Sequence, residues 1–393
     1  MQLSTSKVID KVIDFRNRHK FSAPTVFIGL GLLLFPLWGA FTGYPSISAI
    51  FAYGFIIVAC LYSLLYFRDQ VKLGTQYLYI PLFVLAFLAL LRFAVGQEPI
   101  TDKVLLASYF IVMIMLYFTA KQKGETLLWF VVPAIILYGL NVIVDGLMHL
   151  GVRAHGLSAN CDTIAAMLMF CIFMLRGRWL WLAPLGFIAI LFTGSYWAMS
   201  GLVIGGIVYL VMKRKELKWN SRVVKILFVC LLILCISAGL AFGTGMGQKL
   251  LEFNRLEGLT QNVHSASDLL RNIDVASYGR LTFYKYAFVD KFAWLGNGLN
   301  NVDNTEKVAG IGHMLIHNVP SMVMFELGVF GLLAWLATIV YGIWKSKKYR
   351  YVLIAVLALS LYGGSEFWTW YTFGSYYFLT LGLVGNEIEQ ESE

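Results

Sequence analysis

His317-Asn-Val-Pro-Ser-Met-Val-Met-Phe-Glu326-Leu-Gly328-Val-Phe-Gly-Leu-Leu-Ala-Trp335-Leu-Ala-Thr-Ile-Val-Tyr-Gly-Ile-Trp344 contains one acidic residue and neither Lys nor Arg. A stretch this long and this apolar has one natural solvent, the bilayer interior, whose hydrocarbon core of about 30 Å takes roughly 20 helical residues. Working outward, eleven more stretches read the same way, so the chain is expected to hold helices over 24–42, 46–67, 76–95, 103–120, 126–149, 161–175, 179–193, 197–212, 226–243, 318–344, 350–363 and 369–386. The fold class is therefore all-α: a polytopic membrane protein of about 12 spans, forming a single transmembrane domain over 1–393.

Composition agrees and excludes a soluble domain: 59% of residues are hydrophobic, 13% are charged, and mean hydropathy is +0.71. Orientation follows from Lys and Arg. With the N-terminus inside, the cytoplasmic loops carry 21 of the 31 basic residues, the short outer loops three (Arg92, Lys103, Arg153), and the long segment 244–317 seven. Twelve spans then place both termini in the cytoplasm. The net charge of +9 reads as anchoring against anionic membrane lipid, with no nucleic acid needed. The polar first 20 residues lack the apolar core of a cleaved signal, so the first span is expected to remain as an anchor. Of five cysteines, Cys60, Cys171, Cys230 and Cys235 fall within spans and Cys161 near the outer face, so they read as packing residues.

Polar residues concentrate on the outer side. Arg153, His155, Ser158, Asn160 and Asp162 crowd one turn, and Asn160 or Asp162 is positioned to cap the next, inward-running helix. A positive helix end beside an arginine suits an anion. Taken alone, Arg153 reads either as an anion ligand or as a lipid-phosphate partner beside a capped loop. In the long segment, an aromatic amphipathic helix is expected over about 280–294, with Leu281, Tyr284, Phe288 and Phe292 on one stripe, lying at the interface. Leu295-Gly-Asn-Gly298 then reads as a turn. Asn318 is expected to cap the following helix, with Pro320 in its first turn, which would present a second positive end outside. A lone histidine such as His317 reads by itself as a satisfied interfacial residue able to exchange protons near neutral pH. His313 and His317 lack a third ligand pattern, so no metal is expected. The acids Asp145, Glu326 and Glu366 within or beside spans are expected to face the protein interior.

In order and spacing, these segments resemble the O-antigen polymerase and O-antigen ligase superfamily of bacterial membrane glycosyltransferases. His317-Asn318 followed by Glu326-Leu-Gly328 is similar to that family's H-N...E-x-G signature. Gly279-Arg280 and Trp294-Leu-Gly-Asn-Gly-Leu-Asn-Asn301 resemble its G-R...W and L-x-G-x-G-x-x-N elements, Arg153...Gly156...Asn160 its R-x-x-G...N turn, and Thr193-Gly-Ser195 its T-x-S-R segment. Tyr196 stands where that segment has arginine, so a phosphate-binding role there does not carry over.

The resemblance spans about 150–388. It implies a glycosyltransferase C type fold in the bacterial inner membrane, with an extracytoplasmic site acting without metal or other cofactor. The implied substrate is an undecaprenyl-diphosphate-linked oligosaccharide, and the implied partners are a flippase and a chain-length regulator. By the same resemblance His317, Arg280 and Arg153 are catalytic, while Asn160, Asn318, His155, Tyr284 and Glu326 contact substrate. A repeat-unit polymerase is preferred to a ligase, because the loop between Arg280 and His317 is short and no large basic outer patch is evident. A transporter would predict paired halves, and no internal repeat is seen.

Overall fold

The computed structural model describes residues 77–95, 114–121, 124–149, 152–157, 161–213, 265–276, 280–298, 316, 318–362 and 371–392, with isolated positions in 25–65 and 225–229. Among them every regular element is helical: α1 (Tyr79–Val95), α2 (Val131–Met148, entered through a 3-10 turn from Gly124), α3 (Cys161–Met174), α4 (Ala183–Thr193), α5 (Tyr196–Lys213), α6 (Ala266–Ala276), α7 (Arg280–Lys285), α8 (Val319–Lys345), α9 (Arg350–Tyr362) and α10 (Tyr371–Ser392). The expected spans 24–42, 46–67, 226–243 and most of 103–120 lie outside the described residues.

The hub is α3. Its sequence Cys-Asp-Thr-Ile-Ala-Ala-Met-Leu-Met-Phe-Cys-Ile-Phe-Met has no polar face after its first turn, and a helix apolar all round must be surrounded. It is buried from Thr163 to Cys171 and packs against α2, α4, α5 and α10. The outer wall is apolar too. Ile80, Phe83, Phe87 and Leu90 on α1, Leu140, Val144 and Leu147 on α2, Val203, Ile207 and Val211 on α5, and Phe330 and Leu333 on α8 are exposed at helical spacing. Stripes of this kind turned outward are disfavoured in water and suited to hydrocarbon. Among the described residues two helical stretches, Thr126–Met148 and Val319–Lys345, are long and apolar enough to cross a membrane, and five shorter apolar helices accompany them.

The two ends of the bundle differ. At one end, Lys121 pairs with Glu389 at 3.2 Å, and its carbonyl accepts from Asn386 Nδ2 at 2.7 Å. Glu387 takes the Ser346 hydroxyl at 2.5 Å and the backbone amides of Lys347 and Lys348 at 2.8 and 2.7 Å. Arg176 lies over the Tyr349 ring nearby. These bonds explain why α10 runs on through the polar Asn386–Glu391, past the expected boundary at 386. The other end gathers Arg92, Arg153, Thr193 and the segment 280–298, and the candidate site lies there.

Two expectations are corrected. The interfacial helix over 280–294 is shorter: α7 ends at Lys285, continues as one π turn over Tyr286–Asp290, and gives way to a turn. The span over 318–344 is not one straight helix, because Gly328 stands inside α8 at φ 72° and ψ −164° and divides it. The first part is buried throughout, and exposure begins at Val329 and Phe330.

Helix packing rests on small residues. A side chain at Gly201 would strike Leu359 and Met169, and one at Gly205 would strike Phe173 and Ala355, so this pair lets α5 approach both α9 and α3. Gly206 faces open space. Gly205→Val is expected to destabilise the protein by about 1–3 kcal/mol, whereas Gly206→Ala should be neutral or stabilising by up to about 1 kcal/mol. Thermal unfolding of the two variants in detergent checks this.

Candidate functional site

Two polar assemblies occupy the Arg153 end. The first is the turn between α2 and α3. Ala154 N–H donates to the Phe192 carbonyl at 3.0 Å, and Arg153 Nε donates to the Thr193 carbonyl at 2.9 Å. An Arg153 terminal nitrogen meets Asp162 Oδ1 at 2.5 Å. On the opposite side the turn hangs from α2: Asp145 Oδ2 accepts from the amides of His155 and Gly156 at 3.0 and 2.9 Å, and Asn141 Oδ1 accepts from Leu157 N–H at 2.6 Å. Gly156 is required here, since its φ is 56° and a Cβ would collide with Asn141 Oδ1. Thr193-Gly-Ser195 closes α4 through Gly194 at φ 60°, with the Arg153 side chain packed against that glycine. Ser195 is fully buried, and among the described residues its Oγ has no partner.

This geometry revises the expectation of an open anion site at Arg153. The first turn of α3 already carries Asp162, whose carboxylate takes the guanidinium. With Asp145 beside it, the described cluster has two carboxylates to one arginine, so Arg153 ties three segments together before it offers charge to a ligand. His155 is exposed on this turn, its Nδ1 3.0 Å from the Gly156 carbonyl. Asn160 and Ser158 lie outside the described residues.

The second assembly is the break in α8. In an unbroken helix Val329 N–H would bond the Phe325 carbonyl. The turn of Gly328 parts them, and the loop 294–298 takes both: Asn297 N–H donates to Phe325 O at 2.6 Å, and Val329 N–H donates to Trp294 O at 3.1 Å. Asn297 Nδ2 bonds the Lys291 carbonyl at 2.8 Å, steadying the turn, and Arg92 Nε holds the Leu295 carbonyl at 2.6 Å. A Cβ on Gly296 would strike the Glu326 carbonyl, and one on Gly328 the Trp294 carbonyl. Leu-Gly-Asn-Gly and Glu-Leu-Gly are thus two halves of one backbone contact. Tyr286 stacks on Phe325 with ring centroids 5.6 Å apart, and Glu326 is buried at the bend.

Asn318 caps α8 as expected, its Oδ1 accepting from Ser321 N–H at 2.9 Å, with Pro320 in the first turn. The cap also alters the expected role. Ser321 and Met322 amides are spent on Asn318, and Pro320 has none. This helix end therefore offers an anion little beyond its dipole, and Asn318, fully buried, is a capping residue first. Tyr284 donates its hydroxyl to the Leu361 carbonyl at 2.5 Å, and burial pushes its pKa up to about 12, so it ties α7 to α9. Arg280 opens α7, but its side chain, like His317, lies outside the described residues.

Sequence reading missed the anchoring role of Asn141 and Asp145, although their spacing of four already put them on one face of α2. It also missed α6, whose signal was present: Ser265 Oγ accepts from Asp268 N–H at 3.1 Å and donates to its carboxylate at 2.8 Å, the Ser-x-x-Asp capping pattern.

Gly296→Ala and Gly328→Ala should each destabilise the protein by roughly 2–4 kcal/mol, through a positive φ and a backbone collision together. Because both open the same contact, the double variant is expected to lose less than the sum. Unfolding curves of the three variants check both points.

Compared with protein-family models the chain matches none, and no curated protein matches it.

Proposed function

We propose that the chain is a membrane glycosyltransferase that polymerises undecaprenyl-diphosphate-linked repeat units of an envelope polysaccharide on the outer face of the bacterial inner membrane. One observation carries the reading: the sequence segments that carry the resemblance to that family mate in space. The Trp294–Gly298 turn splices into the break at Gly328, and the Arg153 turn closes on Thr193 and Gly194. Support also comes from the sorting of charge. Lys121, Arg176, Lys347 and Arg350 fall at one end of the bundle and the two assemblies at the other, as the basic-inside orientation requires.

In this reading the acceptor hydroxyl oxygen bonds to the anomeric carbon as the bond from that carbon to the diphosphate oxygen breaks. His317 takes the hydroxyl proton, and the carrier diphosphate leaves with the electron pair. The leaving charge needs a cation. Arg280 carries the larger share of that work, because Arg153 divides its charge with Asp162. Asn160, His155 and Glu326 line the approach of substrate, and the aromatic ring of Tyr284 covers sugar or prenyl chain.

The test is incubation of the purified protein with undecaprenyl-diphosphate oligosaccharide. Longer lipid-linked chains are expected. Transfer to a core lipid or protein would make it a ligase, and no new bond would overturn the reading. His317→Ala is expected to lower the rate by about 10²–10⁴-fold, and Arg280→Ala by about 10²-fold or more, with unfolding midpoints unchanged.

A further inference from the structure

We propose that Asp145 is the positioning residue of the Arg153 turn, holding two consecutive amides so that the Arg153 guanidinium is presented in a fixed direction. The inference rests on the proposed function and adds to it a residue that the resemblance does not supply. Asp145 lies in the last turn of α2, where a carboxylate faces the negative end of the helix dipole. Its retention there calls for strong compensation, and the geometry shows it. One oxygen takes the His155 and Gly156 amides at 3.0 and 2.9 Å, and the other meets His149 Nδ1 at 3.0 Å. Bonds from amides to a charged acceptor are stronger than neutral ones. One turn earlier, Asn141 takes the next amide, so three successive N–H groups of the turn are fixed to one helix face.

Arg153 stands between this anchor and the anchors on Thr193 and Asp162. Those two hold the guanidinium; Asp145 holds the backbone that delivers it. With Asp145 removed, the turn keeps its ties to Thr193, Asp162 and Asn141 but loses the grip on two amides beside Arg153, and the arginine's direction is less firmly fixed. Asp145 need not touch substrate, because its effect passes through Arg153.

The experiment uses the full chain in nanodiscs. Asp145→Ala is expected to speed hydrogen exchange of the His155 and Gly156 amides by about tenfold or more, with exchange in α3 and α9 unchanged. Transfer from undecaprenyl-diphosphate oligosaccharide should fall by about ten- to a hundredfold in kcat/KM. Asp145→Asn, which keeps an acceptor oxygen of the same shape, should recover part of the loss and serves if the alanine variant misfolds. The deciding comparison is the double variant: in an Arg153→Ala background, Asp145→Ala should add almost nothing. Unchanged exchange, or losses that multiply in the double variant, overturns the proposal while the wild-type reaction stands. A wild-type chain that transfers nothing overturns the proposed function and the positioning role with it, and the exchange measurement then reports the grip alone.

Discussion

A helix opened inside an apolar bundle leaves a carbonyl and an amide with nothing to bond, and each such group, buried, costs about 1–3 kcal/mol. Membrane-embedded chains tolerate non-helical backbone only where protein supplies the missing partners. At Gly328 the partners come from one loop. Phe325 O and Val329 N, which a continuous α8 would have joined to each other, are joined instead to Asn297 N and Trp294 O. The exchange keeps both groups bonded and changes what they are bonded to: a helix that would have been self-sufficient becomes dependent on the loop 294–298. Through Arg92 that loop is tied to α1, and through α7 and Tyr284 to α9. The buried first part of α8, with its Asn318 cap, is set by this splice rather than by the axis of the second part.

The Arg153 turn obeys a related constraint. A charged side chain at the rim of an apolar bundle must be matched, and Arg153 is matched by Asp162 and the Thr193 carbonyl. Removing Asp162 would leave the guanidinium without its counter-charge, so the pair is structural whatever ligand it meets. Glycines appear in both assemblies for the same reason: Gly156 and Gly328 have positive φ, and at each the space a Cβ would need is held by Asn141 or by the Trp294 carbonyl.

Much of the described fold was legible from apolar length, because partitioning depends on composition and hardly on partners. Expected helices at 161–175, 197–212 and 350–363 meet helices at Cys161–Met174, Tyr196–Lys213 and Arg350–Tyr362. The Asn318 cap was legible because it is local, a side chain bonding an amide three residues on. The break at Gly328 was not. One glycine in an apolar run is ordinary, and only a distant loop with its own glycines turns it into a splice. Asn160 or Asp162 was read as the cap of α3; Asp162 stands in its first turn and pairs with Arg153, a pairing that depends on where α4 ends and so was not legible locally. For α6 the capping signal was local and sufficient, but a reading tuned to long apolar runs passes over a helix of 11 residues.

These constraints redistribute the electrostatics of the proposed site. The α8 terminus is closed by its own cap, and Arg153 is shared with a carboxylate, so in the proposed reaction each offers a diphosphate less positive charge than it would alone. In the proposed reaction most of the charge would come from the cations of segment 244–317, seven in all, of which Arg280 begins α7. A cation serves a developing charge well only if it is already in place, since reorganising it during the reaction costs the advantage. Segment 280–298 is held to α9 by Tyr284, to α8 by Trp294 and Asn297, and to α1 by Arg92. In the proposed mechanism the splice at Gly328 would matter to chemistry even though no splice residue need touch substrate: it gives the segment that carries Arg280 a fixed seat on the helix that begins beside His317.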